Sequence, residues 1–149
     1  MCIRDRVSIE ADWQEDNAYE ISLLPGAVNS YRGLKNDSVN ALFTTFADND
    51  FGTLITTLKV PQGSYIVELL NEGTVRYRTS FDGSEFNQSY NYLFPGKYRL
   101  RLIFDENDNG IWDSGDYFED VQPERVEYYT DQIKIKKGWD MDVQWEIKD

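Results

Sequence analysis

Histidine is absent from all 149 residues. That removes the commonest general base and the commonest transition-metal ligand. It also excludes Ser–His and Cys–His nucleophile pairs within the chain. Cysteine occurs once, at Cys2, so no intrachain disulfide can form. Basic residues are scarce, 15 Lys and Arg against 27 Asp and Glu, which leaves a net charge of -12. So acidic a surface repels nucleic acid and anionic membrane. It suits cations and a soluble extracellular life. No apolar run approaches membrane-spanning length, and no signal sequence is visible. No capped amphipathic stretch of helical length appears; at most one turn of helix follows Pro25.

What the chain does have is alternation. Its 40% hydrophobic and 15% aromatic content is enough for a packed core. Trp139, Met141, Val143, Trp145 and Ile147 alternate with Asp140, Asp142, Gln144, Glu146 and Lys148, the pattern of a strand with one buried face. Tyr98, Leu100, Leu102 and Phe104 repeat it, with Arg99 and Arg101 outward and Ile103 breaking the polarity. Leu54–Val60 and Tyr65–Leu69 read as an earlier pair of strands. Val75–Thr79, Val126–Tyr128 and Ile133–Ile135 supply shorter ones. Pro95-Gly96 and Pro25-Gly26 fit the central positions of type II turns. Pro61-Gln62-Gly63, Asn71-Glu72-Gly73 and Asp82-Gly83 mark further connections.

The predicted fold class is therefore all-β. A boundary falls at the short polar stretch 47–51. Residues 52–149 supply seven or eight strands, enough for a sandwich. Residues 7–46 supply about three, beginning at Val7, Tyr19 and Val39. They either extend the second domain or form the C-terminal part of an upstream one. The first six residues, Met1-Cys2-Ile3-Arg4-Asp5-Arg6, look foreign. Back-translated, they resemble a transposon-end adapter used in sequencing libraries. On that reading 1–6 are a scar on a metagenomic fragment whose start lies upstream, and Cys2 says nothing of redox compartment. A native N-terminal strand is the other reading.

Residues 105–116 match D-x-[DN]-x-[DN]-G-x5-acid, the spacing of an EF-hand-type calcium loop. Calcium takes six to eight oxygens at a loose radius. Asp105, Asn107 and Asn109 at alternate positions would aim at one centre, and Gly110 permits the sharp turn. The Ile111 carbonyl would serve at the seventh position. Asp113 would coordinate through water, and Asp116 would close the loop. Asp at the last position departs from the usual bidentate Glu, and a strand precedes the loop where an EF-hand has a helix. Residues 105–120 hold seven acids and no base, so a cation or solvent must absorb their field. Three carboxylates and two amides suggest a Kd of ~10⁻⁴–10⁻³ M, the range of extracellular modules. The plain alternative is a solvated acidic loop whose Asx side chains bond their own backbone. Trp112 would pin the loop to the sandwich, or offer a sugar-stacking platform.

Two stretches resemble known families. Tyr19–Val28 with its Pro25-Gly26-Ala27-Val28 turn, then Tyr31-Arg32-Gly33, Asn36-Asp37 and Phe43-Thr44-Thr45, resemble the closing half of a bacterial SbsA-type Ig-like domain. Pro95–Arg101, Asp105–Tyr117, Gln122-Pro123-Glu124 and Trp139-Asp140 resemble the prealbumin-like (transthyretin-type, carboxypeptidase regulatory-like) sandwich that follows such domains in Bacteroidetes surface proteins. The resemblance implies an envelope-anchored or secreted lipoprotein with no known catalysis in either module. The expectation is a non-catalytic structural or adhesive module at the cell surface or outer membrane. Its partners would be calcium and a surface glycan or protein. Nucleic acid and direct membrane insertion are not expected. A carbohydrate-binding accessory module of a secreted polysaccharide-processing protein is the alternative. A hydrolase using Glu119 and Asp120 ranks third, for lack of a marked cleft.

Overall fold

The apolar alternation does produce strands and no α-helix in the computed structural model, which describes residues 8–148. The proposed scar at 1–6 and the strand expected from Val7 lie outside those residues. The chain divides between Asp48 and Asn49 into two units, separated by a single 3-10 turn at Asp48–Asp50.

The first unit is an antiparallel pair, β1 (Ala18–Leu23) and β2 (Val39–Thr44), in register from Ala18 opposite Thr44 to Leu23 opposite Val39. Two strands appear among its described residues, against the three expected. Pro25-Gly26 makes the anticipated type II turn: Gly26 has φ +81°, and the Ala27 amide donates to the Leu24 carbonyl at 3.0 Å. Trp13, Tyr19 and Phe43 form a ring cluster with centroids 5.0–5.6 Å apart. None of its described residues is buried. Two strands without a covered face are marginal alone.

The second unit is one six-stranded sheet: β3 (Gly52–Asn71), β4 (Thr74–Leu93), β5 (Gly96–Phe104), β6 (Val126–Tyr128), β7 (Ile133–Ile135) and β8 (Asp140–Glu146). Leu54–Val60 and Tyr65–Leu69 were expected as two strands. They are the two halves of β3, and Pro61-Gln62-Gly63 is a bend inside it with a register shift. Asp82-Gly83 is likewise a bend in β4, with Gly63 opposite Gly83 and Gly83 at φ +133°. Proline interrupts the hydrogen-bond ladder and glycine admits the angle, so the strand folds without ending. The bend is large. Tyr77 and Tyr90 are 13 positions apart in β4, which would separate them by about 40 Å in a straight strand. Their rings meet at 5.2 Å. The strand count is therefore six, two of which serve both layers.

One layer holds the first half of β3, the second half of β4, and β8, which runs parallel to β3 from Thr53–Asp140 to Lys59–Glu146. The other holds the second half of β3, the first half of β4, β5, β6 and β7. Leu54, Leu58, Phe86, Tyr90 and Val143 from the first pack with Val67, Leu69, Leu100, Leu102 and Ile133 from the second in a single core. Each such aliphatic side chain, fully buried, contributes about 1.5–3 kcal/mol. Asn71–Thr74 closes the β3–β4 hairpin through Glu72 (φ +49°) and Gly73 (φ +81°), a type I′ turn. Gly96 does not take a positive φ, contrary to the type II expectation; it opens β5, and Tyr92 takes the left-handed angle nearby.

The second half of β3 is buried on both faces. Ile66, Glu68 and Leu70 lie on the face away from the core. Glu68 is fully buried and sits opposite both Arg78 and Arg101. Its Oε1 accepts from Arg78 at 2.6–2.7 Å, and its Oε2 accepts from Arg101. Burial alone would lower the pKa of Arg101; hydrogen bonds to Tyr128 and Glu68 outweigh it and raise it.

Candidate functional site

The acidic loop leaves β5 at Phe104 and returns to the sheet at β6. Asp105 is the anchor. Its amide donates to the Ser64 carbonyl at 3.1 Å, and its side chain is buried at 4% exposure. Asp105 Oδ1 accepts from the Asn109 amide at 3.0 Å, and Oδ2 from the Gly110 amide at 2.8 Å. A carboxylate held this way turns the chain tightly, and Gly110 at φ +75° supplies the angle. Asn107 Oδ1 and Asn109 Oδ1 accept from the Asn109 and Ile111 amides in successive Asx turns.

Asp113 gathers the other side. Its Oδ2 accepts from Asn107 Nδ2 at 2.5 Å and from Asn109 Nδ2 at 2.7 Å. Asp105, Asn107, Asn109 and Asp113 are thus brought into one hydrogen-bonded set. Ile111 joins it through its backbone, with its side chain exposed. Asp116 is placed differently. Its Oδ1 caps its own turn, accepting from Phe118 and Glu119 amides, and its backbone pairs with Val121.

Glu124 was not among the residues anticipated for the site. It is buried at 8% exposure, and its carboxylate accepts from the Glu106 amide at 3.1 Å and the Asp113 amide at 3.0 Å. Its own amide donates to the Asp113 carbonyl, and its carbonyl accepts from Trp112 Nε1 at 3.2 Å. The indole thus ties the loop to its own return segment, while Trp112 stays 47% exposed and outside the core cluster of the sandwich. The one signal in the sequence was position: Glu124 is the last acid before Arg125 ends a basic-free run from Asp105. Among the described residues, no group of three or more His, Cys, Asp or Glu is arranged to hold a metal ion. The converging donors here are amides as much as carboxylates.

Fold and site together define an all-β, sandwich-like module carrying an acidic loop ordered by its own carboxylates. Comparison of the chain with protein-family models, with curated proteins and with solved structures gives no match.

Proposed function

We propose that this chain is a non-catalytic structural or adhesive module of a secreted or cell-envelope protein, with a calcium ion stiffening residues 105–124. The observation that carries the reading is Asp105 and Glu124. Both are buried carboxylates facing one loop, in a run without Lys or Arg. Burying charge without a cation is costly, and backbone amides offset only part of it. The donor chemistry fits. Asn107 and Asn109 now turn N–H toward Asp113 and Oδ1 toward backbone amides, so binding the ion would exchange their Asx-turn hydrogen bonds for Oδ1–cation contacts. Asp105, Asn107, Asn109, Asp113 and the Ile111 carbonyl would hold the ion. Hard oxygen donors at irregular spacing suit calcium, which accepts loose geometry, better than magnesium. Glu124 is the closing carboxylate tied into the loop, while that of Asp116 is committed to its own turn.

The Ig-like and prealbumin-like resemblances belong to this proposal. The two-layered all-β architecture of the second unit is what supports the prealbumin-like one.

The test is a thermal melt in EDTA and in millimolar calcium. At 1 mM calcium and a Kd of ~10⁻⁴ M, the stabilisation is about 1.4 kcal/mol, a rise of several degrees for a unit of this size. Glu124→Gln should abolish the rise and Asp116→Asn should leave most of it. An identical melt in both buffers, with no heat on calcium titration, refutes the reading.

A further inference from the structure

The face of the sheet turned away from the core gathers basic residues in a chain of net charge -12. Register puts Leu70 opposite Arg99, Glu68 opposite Arg101, and Lys97 opposite Lys134. Directly opposed residues share a face. Arg78 and Arg101 are occupied by Glu68. Lys97, Arg99 and Lys134 form no ion pair among the described residues.

Lys97 and Arg99 border a groove of about 610 Å³ lined also by Leu70, Arg101, Tyr128 and Gln132. A second cavity of about 350 Å³ shares Arg99, Tyr128 and Gln132 with it. Arg99, Tyr128 and Gln132 line both cavities and mark the middle of this trough-like surface. Glu72 stands in the first cavity and Asp131 in the second, so favourable ground for an anion is confined to the centre. Tyr128 is half exposed, and its hydroxyl accepts from Arg101 Nη1 at 3.4 Å. Arg101 is in turn gripped by buried Glu68. The ring and its neighbouring guanidinium are thus held in place before anything binds.

We propose that this trough binds an anionic oligosaccharide. A pyranose ring stacks on Tyr128, its carboxylate or sulfate lies against Arg99 and Lys97, and a hydroxyl reaches the Gln132 amide. An exposed aromatic face beside a free guanidinium matches a ring that is apolar on its face and charged at its edge. An acidic peptide is disfavoured. Peptides dock on sheets by adding a strand at an open edge, and the open edges beside the trough, β6 and β7, are only three residues long each. The net negative charge does not forbid the contact, because fields beyond about 8 Å are screened at physiological salt. The trough shares no residue with the acidic loop, so this proposal stands apart from the calcium reading.

The experiment is calorimetric titration of the whole chain in physiological salt. The probes are a hexagalacturonate, a sulfated galactan hexasaccharide, a neutral oligosaccharide of equal length and hexaglutamate. One or both anionic sugars should bind at least about tenfold more tightly than the neutral sugar and the peptide. The carboxylate and sulfate arms then say which anion is read. Arg99→Ala and Tyr128→Ala should each weaken that binding about tenfold with an unchanged melt, and Tyr128→Phe should retain most of it. Trp112→Ala should leave it intact. Failure of both anionic sugars to bind, equal binding of the neutral sugar or the peptide, or wild-type affinity in both alanine variants overturns the proposal.

Discussion

Replacing Glu68 by Gln preserves shape and removes one charge at a position with no exposure at all. Each carboxylate oxygen now serves one guanidinium, Oε1 for Arg78 and Oε2 for Arg101. In the amide, one of these acceptors becomes a donor facing another donor. Breaking a fully buried pair costs about 3–5 kcal/mol. Here the guanidiniums are partly wet, with side-chain exposures of 49% for Arg78 and 25% for Arg101, so both can recover some hydration. A loss of about 3 kcal/mol follows, which lowers the Tm by on the order of 10 °C or more. The same exposures rank the partners. Arg78→Gln should cost about 1–3 kcal/mol, because it leaves one oxygen of buried Glu68 without its donor, and Arg101→Gln, at the less exposed partner, clearly more. Exchanging both members for apolar residues, as in Glu68→Leu with Arg101→Met, should cost less than Glu68→Gln alone. Urea and thermal unfolding followed by circular dichroism give all four values. A Glu68→Gln protein within about 0.5 kcal/mol of wild type, or an Arg78 variant as damaged as the Arg101 variant, refutes the assignment of this buried charge.

Other outcomes follow from single positions. Thr56 Oγ1 and Tyr90 Oη are buried without a hydrogen-bond partner among the described residues, so Thr56→Val should be neutral or stabilising by up to about 1 kcal/mol in urea melts. Burial pushes the Tyr90 phenol from 10.0 up to about 12. Its folded pKa lies above the unfolded one, so its contribution is intact below pH 10 and disappears as the pH climbs toward 12. Tyr90→Phe should flatten that alkaline loss of stability. A Cβ on Gly52 would meet the Lys136 carbonyl at 2.5 Å and the Trp139 carbonyl at 2.9 Å. Because these neighbours are backbone, Gly52→Ala should destabilise by about 1–3 kcal/mol, measured the same way.

Much of the fold was legible because alternation reports burial directly. Tyr98, Leu100 and Leu102 are buried as their spacing demands, and Val143 and Ile147 with them. Trp139 was placed on the same inner face but is 62% exposed. It lies just before β8, where its ring packs under Lys136 Nζ at 4.4 Å. Ile103, which broke the polarity of its strand, is buried against the covered outer face with Ile66. The bends in β3 and β4 were not legible, because proline and glycine signal a change of direction without saying whether pairing resumes. The parallel partnership of β3 with β8 joins residues some 87 positions apart, from Thr53 to Asp140, and no local pattern encodes it. In the loop, spacing pointed to Asp105, Asn107, Asn109 and Asp113, which the structure ties together. Glu124 reaches them only because the chain returns past Asp113 toward β6, a consequence of tertiary path.

The parallel pairing of β3 and β8 also decides how the second unit bears load. Gly52 begins β3 and Glu146 ends β8, and in side-by-side parallel strands these two ends point in opposite directions. A pull between them slides one strand along the other, straining the ladder from Thr53 to Lys59 all at once. An antiparallel pair gripped at adjacent ends would open one bond at a time. A tether built from this unit should therefore hold under tension and then yield abruptly.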